Sequence, residues 1–255
     1  MSWKIGAGLE GRGVIVTGAA GGIGRAVARA FAAAGARVMA ADLGVDQLES
    51  LLSELEGSGH AYQALDLSDP TAPDRLIAAT RERFGDLWAL VHLAAVLRRQ
   101  AQLSDVTEQD WDVQVDTNLK ATFFLCRAAA QAMVDQGQGG RVVTFTSQGW
   151  WTGGYGGSVV YNTTKGGIVT MTRGFARTYG PHGITVNSVA PGQVRTPMLL
   201  TGLDDKVLES MTRATPLGRI AEPDEIAGVP VFLASRHAQY ITGATINITG
   251  GFLMY

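Results

Sequence analysis

The stretch Val14-Ile15-Val16-Thr17-Gly18-Ala19-Ala20-Gly21-Gly22-Ile23-Gly24 decides the fold of this chain. It runs from a short apolar, β-branched segment into a glycine-rich turn and then into a segment with helical spacing. Glycines permit a tight turn and a close approach to a pyrophosphate, whose charge is met by N–H groups at the helix start. The spacing is Gly18-x-x-x-Gly22-x-Gly24, not G-x-G-x-x-G, and such a turn alone is weak evidence. Its position after a first strand predicts a dinucleotide-binding unit.

The alternation of strand and helix patterns continues along the chain. Short apolar runs predict strands at Val14–Thr17, Arg37–Asp42, His60–Leu65, Leu87–Leu93, Arg141–Thr146, Thr185–Val189 and Thr245–Ile248. Segments such as Ile23–Ala34 and Thr117–Val134 repeat apolar residues at three- and four-residue steps, which is typical of helices. Continuous apolar strands joined by helices predict an α/β fold, a Rossmann-like doubly wound parallel sheet of about seven strands with helices on both faces. No linker divides the chain, so residues 1–255 are expected to form one domain.

Composition limits the classes of function. The 255 residues are 46% apolar and 17% charged, with a net charge of -2, which argues against capture of nucleic acid or of an anionic membrane. A small soluble substrate fits better. Cys126 is the only cysteine, so no intramolecular disulfide is possible, and its apolar setting indicates a core position. No signal-peptide pattern or membrane-length apolar run is present, which favours a cytoplasmic location. The four histidines have no metal-ligand spacing, so no metal is expected.

The end of the second predicted strand indicates which cofactor is used. Asp42 follows Ala41 at the carboxyl end of this strand, where a carboxylate accepts hydrogen bonds from ribose hydroxyls and repels a 2′-phosphate. The glycine turn contains no Arg or Lys that could neutralise such a phosphate, and the residue after Asp42 is Leu43. A solvated loop aspartate is the alternative interpretation. We expect NAD, with NADP the less favoured cofactor.

Tyr161 and Lys165 form a candidate acid–base pair. They are four residues apart, so their side chains share one face if this segment is a helix. A tyrosine has a pKa of about 10, too high for a base near neutral pH. A neighbouring ammonium and an oxidised nicotinamide ring both favour the phenolate. The pair is a weak signal alone, but here it follows a β-rich run that ends in the hydroxyl residue Ser147.

Taken together, the motifs resemble the short-chain dehydrogenase/reductases in their single-domain branch. The resemblance extends from about Gly11 to Gly251. Its motifs, in chain order, are T-G-x-x-x-G-x-G at Thr17–Gly24, Asp66-Leu67, Asn118, Ser147, Tyr161 with Lys165, and Pro191-Gly192-Gln193-Val194-Arg195-Thr196. The resemblance implies a nicotinamide-dependent enzyme that acts on an alcohol or ketone.

Site roles follow from this resemblance. It implies that Tyr161 is the acid–base group, that Lys165 lowers its pKa, that Ser147 donates to the substrate oxygen, and that Asn118 holds a relay water. The residues implied to bind the cofactor are Gly18, Gly22, Ile23, Gly24, Asp42, Leu43, Asp66, Leu67, Ala94, Tyr161, Lys165, Pro191, Gly192, Val194 and Thr196.

The chain departs from the family pattern at two places. After the fourth strand, His92-Leu93-Ala94-Ala95 replaces the usual N-N-A-G, so a hydrogen bond inside the sheet must be lost or replaced. Ser147 also lies 14 residues before Tyr161, one more than expected. Gln148 occupies the other register, but it has no hydroxyl, so Ser147 is the better candidate.

Three further expectations concern the substrate and the assembly. In addition to Ser147, the residues expected to contact the substrate are Gln148, Trp150, Trp151 and Tyr155. A structural role without substrate contact is an equally open alternative for the two tryptophans. Residues 196–215 are expected to form a mobile lid. The segment Ser158–Gly180 has weak helix propensity, yet the resemblance favours a helix with Ser158 as N-cap. This segment and Thr117–Val134 resemble the family's interface helices, which predicts a homotetramer.

Three functions fit the sequence. The first is NAD-dependent oxidation of a secondary alcohol, such as a sugar, polyol or cyclic alcohol, to its ketone. The second is reduction of a 3-oxoacyl thioester, which Asp42 disfavours through cofactor choice. The third, from another class, is a catalytically silent NAD-binding regulator, which the complete set of catalytic residues disfavours.

Overall fold

A seven-stranded parallel sheet forms the centre of the computed structural model, which describes residues 4–154, 157–201 and 205–254. The strands are β1 (Gly13–Thr17), β2 (Arg37–Asp42), β3 (Ala61–Ala64), β4 (Ala89–His92), β5 (Gly140–Phe145), β6 (Ile184–Pro191) and β7 (Thr245–Ile248). Their order is β3-β2-β1-β4-β5-β6-β7, so the direction of winding reverses between β1 and β4. The predicted fold class is confirmed, and the ends of every predicted strand are correct to within two residues.

Ten α-helices of the described residues surround this sheet. They are α1 (Gly22–Ala33), α2 (Val45–Glu54), α3 (Ala72–Phe84), α4 (Glu108–Val115), α5 (Ala121–Gln136), α6 (Gly149–Thr152), α7 (Val159–Tyr179), α8 (Pro197–Leu200), α9 (Asp205–Ala214) and α10 (Pro223–Ala234). None of the helices in these residues has the length and apolar composition needed to cross a membrane.

Both faces of the sheet are apolar because successive side chains of a strand point to opposite faces. In β1, Val14 and Val16 pack in a core with α1, α2 and α10, whereas Ile15 packs on the other face with α3, α5 and α7. This two-sided burial explains why the strands appear in the sequence as continuous apolar runs. Cys126 is buried in the second core, as predicted, and burial raises the pKa of its thiol to about 12.

The glycine turn after β1 packs closely against the backbone that follows β4. Gly18 has a φ of +64°, and a Cβ at this position would lie 2.7 Å from the backbone nitrogen of Ala94, just beyond β4. At Gly24, in the first turn of α1, a Cβ would overlap the carbonyl oxygen of Gly18. Side chains at these two positions would therefore push α1 and the end of β4 away from the turn.

A polar chain crosses the core at the carboxyl end of β4. The Thr17 hydroxyl and His92 Nδ1 are 2.7 Å apart, and His92 Nε2 and the Thr122 hydroxyl are 2.8 Å apart. Thr122 in turn donates to the carbonyl oxygen of Asn118 at 2.6 Å. Because the Thr122 hydroxyl donates to Asn118, it accepts from His92 Nε2, and a neutral His92 then accepts from Thr17 at Nδ1. Burial lowers the pKa of His92 to about 3, which agrees with that neutral state.

These hydrogen bonds lie at the place where His92-Leu93-Ala94-Ala95 departs from N-N-A-G. Thr17 and His92 lie opposite each other in the register of β1 and β4, so their side chains point to the same face. The neighbouring Leu93 packs at the edge of the first core. The imidazole thus connects the first strand of the sheet to α5.

The segment predicted as one helix over Thr117–Val134 is longer and has an interruption. Its helical structure starts at Glu108, passes through a π-helical turn at Asp116–Lys120, and continues as α5 to Gln136. Apolar spacing does not reveal such a turn, because one extra residue displaces the periodic pattern only locally. The turn buries Asn118 completely.

Helix α7 forms despite its threonines, glycines and valines. Thr163, Thr172 and Thr178 each donate a hydrogen bond to the carbonyl four residues earlier, so their hydroxyls are satisfied within the helix. Burial of Ile168 and Val169 against the sheet supplies the stabilisation that propensity lacks. Ser158 occupies the N-cap position, but its side chain makes no cap hydrogen bond to the backbone. Instead, its hydroxyl accepts from the Asn162 side chain at 2.8 Å.

We expect His92→Leu to lower the free energy of unfolding by about 1–3 kcal/mol, because the buried hydroxyls of Thr17 and Thr122 each lose one hydrogen-bond partner. Chemical denaturation monitored by circular dichroism measures this change. His182→Leu is the control; this histidine is exposed, so its replacement should change stability by less than about 0.5 kcal/mol. Equal stability of the His92 variant and wild type would contradict a structural role for the chain.

Candidate active site

A cavity of about 740 Å³ lies along the carboxyl ends of the strands, across the gap between β1 and β4. Its volume is in the range of about 300–1,000 Å³ that is common for small-molecule sites. Segments far apart in sequence meet in its wall. The predicted site residues that line it are Gly18, Gly22, Ile23, Gly24, Asp42, Leu43, Asp66, Leu67, Ala94, Ser147, Gln148, Tyr161, Lys165, Pro191, Gly192, Val194 and Thr196.

One end of the cavity fits a dinucleotide phosphate group. Helix α1 begins here at Gly22, and Gly21 at its N-cap has no side chain to occupy the first N–H groups. Such N–H groups and the positive end of a twelve-residue helix attract an anion. The glycine turn leaves room for a ligand at this place, so the residues present fit the phosphates of a nicotinamide cofactor.

The acidic residues of the site lie at the same end. Asp42 accepts hydrogen bonds from the backbone N–H groups of Ala20 at 2.9 Å and Leu43 at 2.8 Å, one on each carboxylate oxygen. Each oxygen retains a further lone pair for a ligand hydroxyl. Asp66 accepts from Ser68 through one oxygen only. Two carboxylates with free acceptor capacity therefore face the region where an adenosine would lie.

Arg25 is the cation closest to this region in sequence, and its charge is already balanced. It forms an ion pair with Glu54 and donates to the carbonyl oxygen of Gln47 at 3.2 Å. Arg25 does not line the cavity. The guanidinium is thus held against α2 and is not directed at a ligand.

Helix α7 and the end of β5 hold Tyr161 and Lys165 at the middle of the cavity. Lys165 Nζ donates to the carbonyl oxygen of Phe145 at 2.8 Å, and the Thr146 hydroxyl donates to the Lys165 carbonyl at 2.7 Å. The Lys165 nitrogen lies 5.4 Å from the centre of the Tyr161 ring. Lys165 is 3% exposed, so its orientation is set by these contacts.

Burial dominates the titration of both groups in the cofactor-free protein. It raises the pKa of Tyr161 to about 12, while the positive charge of Arg99 acts in the opposite direction. It lowers the pKa of Lys165 to about 7. Near neutral pH, Tyr161 is therefore protonated and can donate a proton, and Lys165 exchanges its proton easily. The ordering of these values suits a tyrosine acid that is recharged through a lysine.

Ser147 and Gln148 present polar atoms beside this pair. The backbone N–H of Gly149 donates to Ser147 Oγ at 3.2 Å, which leaves the hydroxyl proton of Ser147 available to a ligand oxygen. Gln148 Oε1 is buried and has no hydrogen-bond partner within the described part of the chain. A ligand hydroxyl would satisfy it.

Asn118 is close to the cavity wall but does not line the cavity. Its side chain accepts from the N–H of Val96 at 2.8 Å and donates to the carbonyl of Val96 at 2.8 Å. It also approaches the Thr164 hydroxyl at 3.4 Å. These contacts hold the segment after β4 against α7, and this segment forms one wall of the cavity.

The two tryptophans expected to contact the substrate are not found in the wall of the cavity. Trp150 and Trp151 do not line the cavity, and their rings contact each other edge to face at 5.2 Å. The reason is local, because Gln148–Thr152 forms a single helical turn in which Gly149 and Thr152 face the cavity. Trp151 is 59% exposed. Tyr155 lies outside the described residues.

Arg99 is a cavity residue that sequence reasoning missed. It follows β4 by seven residues, lines the cavity and is partly buried. Its guanidinium donates to the carbonyl oxygens of Thr201 at 3.0 Å and Met198 at 3.4 Å. The signal in the sequence was a basic pair, Arg98-Arg99, close after a strand end. Within the described residues, no group of His, Cys, Asp and Glu is placed to hold a metal ion.

Comparison with known proteins places these features in a family. A family model described as enoyl-(acyl carrier protein) reductase matches residues 18–253. The (2S)-[(R)-hydroxy(phenyl)methyl]succinyl-CoA dehydrogenase subunit of Thauera aromatica is 35% identical over 246 residues, which cover 96% of this chain and 97% of the relative. D-threitol dehydrogenase of Mycolicibacterium smegmatis is 37% identical, with 96% of this chain and 94% of the relative covered.

A solved structure agrees with these sequence matches. A short-chain dehydrogenase/reductase described as a glucose/ribitol dehydrogenase from Brucella melitensis superposes with a TM-score of 0.89 at 34% identity, over 97% of this chain and 98% of that chain. Fold and sequence therefore agree with this family over almost the whole length. The chain belongs to the short-chain dehydrogenase/reductase family and is an oxidoreductase of alcohol or carbonyl groups.

Proposed function

We propose that this enzyme uses NAD to interconvert a secondary alcohol, of the sugar, polyol or cyclic alcohol class, and its ketone. The observation that carries the proposal is the single cavity described above. It joins a phosphate-binding turn and Asp42 at one end to Ser147, Tyr161 and Lys165 in its middle. A ligand that spans this cavity would meet the cofactor-binding and the proton-transferring groups together.

The proposed chemistry divides between cofactor and protein. The nicotinamide, when bound, supplies hydride transfer to or from the carbinol carbon. Tyr161 takes the hydroxyl proton during oxidation and returns it to the ketone oxygen during reduction. Ser147 donates a hydrogen bond to the same oxygen and stabilises the negative charge that develops there. Lys165 lowers the pKa of Tyr161 once the positively charged nicotinamide is also present.

Asn118 is proposed to complete a proton path from Lys165 to solvent. Its backbone carbonyl already accepts from Thr122 and retains one lone pair for a water. Its side chain is used in holding Val96, so the backbone carbonyl is the group available to that water.

The preference for NAD rests on charge at the adenosine end. Asp42 would accept hydrogen bonds from the ribose and repel a 2′-phosphate. Arg25, which could otherwise attract this phosphate, is paired with Glu54. Both observations favour the cofactor without the phosphate.

The two relatives differ in the substrate class that their names give. One acts on a coenzyme A thioester and the other on the polyol threitol. The unsatisfied Gln148 Oε1 supports a substrate with a second hydroxyl near the carbinol, as polyols and sugars have. Reduction of a 3-oxoacyl thioester is the second candidate, and the thioester relative favours it.

The segment 196–215 is proposed to act as a lid over the substrate. Its described part contains α8 and α9, and Met198, Leu199 and Met211 line the cavity. No residue of α9 is buried, so few contacts oppose its movement.

Assembly into a homotetramer is proposed from the exposed apolar side chains of α4, α5 and α7. Trp111, Phe123, Phe124 and Val159 are each between 39% and 47% exposed. Burial of such side chains between subunits would remove apolar area from water.

Tyr161→Phe should lower kcat by at least about 10³-fold and leave the affinity for NAD within about threefold, because only the transferable proton is lost. NADH formation with sugars, polyols, cyclic alcohols and a 3-hydroxyacyl thioester measures the first effect, and calorimetry with NAD the second. The matched control is Tyr179→Phe on the same helix, which should keep wild-type turnover. Retained turnover in the Tyr161 variant would refute the assignment of the acid–base group.

Wild-type enzyme should have a kcat/KM for NAD at least about 100-fold above that for NADP, and Asp42→Ala should reduce this ratio by at least about tenfold. The NAD/NADP ratio falls because the variant loses both the hydrogen bonds to the ribose and the repulsion of the 2′-phosphate. A tenfold fall corresponds to about 1.4 kcal/mol of binding free energy. Steady-state kinetics with both cofactors measures it. Asp46→Ala, on the exposed start of α2, should leave the ratio unchanged. Equal use of both cofactors by wild type would contradict the preference.

Sedimentation equilibrium should give a mass of four times the 26.9 kDa chain, and Phe124→Glu should lower it by placing a charge in an apolar interface. Val45→Glu, an equally exposed apolar site on the opposite face of the sheet, is the control and should remain tetrameric. A wild-type mass of one chain would overturn the proposed assembly.

A further inference from the structure

The substrate end of the cavity contains a guanidinium that forms no ion pair with any carboxylate in residues 4–154, 157–201 and 205–254. Arg99 lines the cavity together with Tyr161, and its charge is close enough to act on the titration of Tyr161. The adjacent Arg98 points elsewhere and forms an ion pair with Asp110 at 3.6 Å. No carboxylate of the described residues pairs with Arg99, whose hydrogen bonds are to the backbone carbonyls of Met198 and Thr201.

These two hydrogen bonds leave most of the donor capacity of Arg99 unused. Both come from the same terminal nitrogen, whereas a guanidinium has five N–H donors arranged as a planar fork. A partly buried cation is costly without an anion or a full set of acceptors. Burial correspondingly lowers the pKa of Arg99. The free donors can be satisfied by a ligand that enters the cavity.

Charge is divided along the cavity. Among the described residues, the acidic side chains that line it are Asp42 and Asp66, both at the proposed adenosine end. The basic side chains of this part of the chain that line it are Arg99 and Lys165, both at the proposed substrate end. An anionic substrate would therefore be oriented with its charge toward Arg99 and away from the two carboxylates.

We propose that Arg99 binds a carboxylate of the substrate, and that the secondary alcohol of the proposed function is therefore a hydroxy acid, such as a sugar acid, which the enzyme interconverts with its oxo acid. The inference rests on the proposed dehydrogenase function and specifies its substrate class. A planar fork with free donors matches a carboxylate, which it binds through two parallel hydrogen bonds. Arg99 and Tyr161 line the same cavity, so one substrate could place its acid at Arg99 and its carbinol oxygen at Tyr161.

The same contact would couple substrate binding to the proposed lid. Met198 and Thr201, whose carbonyls accept from Arg99, belong to the segment 196–215. A carboxylate bound by the unused N–H groups of the guanidinium would leave these hydrogen bonds in place. Neutral alcohols would lack this connection.

The test compares acids with neutral partners of the same carbon skeleton. Wild type, Arg99→Gln and Arg99→Lys are assayed with NAD on (R)-3-hydroxybutyrate against 1,3-butanediol, and on D-gluconate against D-sorbitol. We expect kcat/KM of wild type to favour an acid over its partner by at least about 30-fold, in the range measured for buried charged pairs. Arg99→Gln should lower the value for the acid by about 100-fold and that for the neutral partner by less than about fivefold.

Two variants separate recognition of the acid from a structural effect. Arg99→Lys keeps the charge without the fork, so it should retain an intermediate preference for the acid. Arg98→Gln removes a neighbouring charge outside the cavity and should leave both values unchanged. The inference is overturned if neutral alcohols are oxidised as well as the acids, or if Arg99→Gln lowers both classes equally.

A binding measurement distinguishes failure of this inference from failure of the proposed function. Calorimetry with the NAD-loaded protein compares acetoacetate with the neutral ketone 4-hydroxy-2-butanone. If no alcohol is oxidised, the dehydrogenase proposal fails. Tighter binding of acetoacetate that is lost in Arg99→Gln would still support Arg99 as a carboxylate site. Equal binding of the two ketones, or acetoacetate binding that is unchanged in the variant, overturns the inference.

Discussion

The close approach of the turn after β1 to the end of β4 is the constraint on which the rest of the structure depends. Parallel strands wound in opposite directions from this point leave a gap at their carboxyl ends, and a ligand can enter only where the chain has no side chain to fill it. Gly18 meets Ala94 here at a distance that excludes a Cβ, and Gly24 lets α1 start directly behind the turn. The contact between these two backbone segments therefore determines where the glycine turn and the segment after β4 line the cavity.

Polar groups buried beside this contact hold the remaining parts of the site in place. The chain from Thr17 through His92 and Thr122 reaches the carbonyl of Asn118, so the glycine turn and the π-helical turn are connected through the core. Each hydroxyl and ring nitrogen in it has one consistent donor or acceptor role, which makes a single arrangement favourable. On the other side of the cavity, Lys165 is fixed to the end of β5 through its amine and its carbonyl. Helix α7, which contains the proposed catalytic pair, and the glycine turn are thus held in place by contacts within the protein, as the preorganisation of a catalytic site requires.

The two ends of the cavity differ in the charge of their side chains. Carboxylates occupy the end where an adenosine would lie, and the cations Lys165 and Arg99 occupy the end where the reaction would occur. Burial weakens the hold of Lys165 on its proton and strengthens that of Tyr161, so that the tyrosine is the resting acid of the pair. A bound cofactor with a positive ring would shift this balance toward the phenolate, which would couple cofactor binding to the readiness of the base.

Features with a local cause could be predicted from the sequence alone. The strands follow from continuous β-branched runs, the tight turn before α1 from its glycines, and the shared helix face of Tyr161 and Lys165 from a four-residue spacing. Contacts between distant segments could not be predicted, because periodicity contains no information about which side chains meet. Only the tertiary structure placed His92 between the Thr17 and Thr122 hydroxyls, left Trp150 and Trp151 out of the cavity wall, and brought Arg99 into the same cavity as Tyr161. Helix α7 shows the same division, since burial and hydroxyl–carbonyl hydrogen bonds stabilise a segment whose intrinsic propensity disfavours a helix.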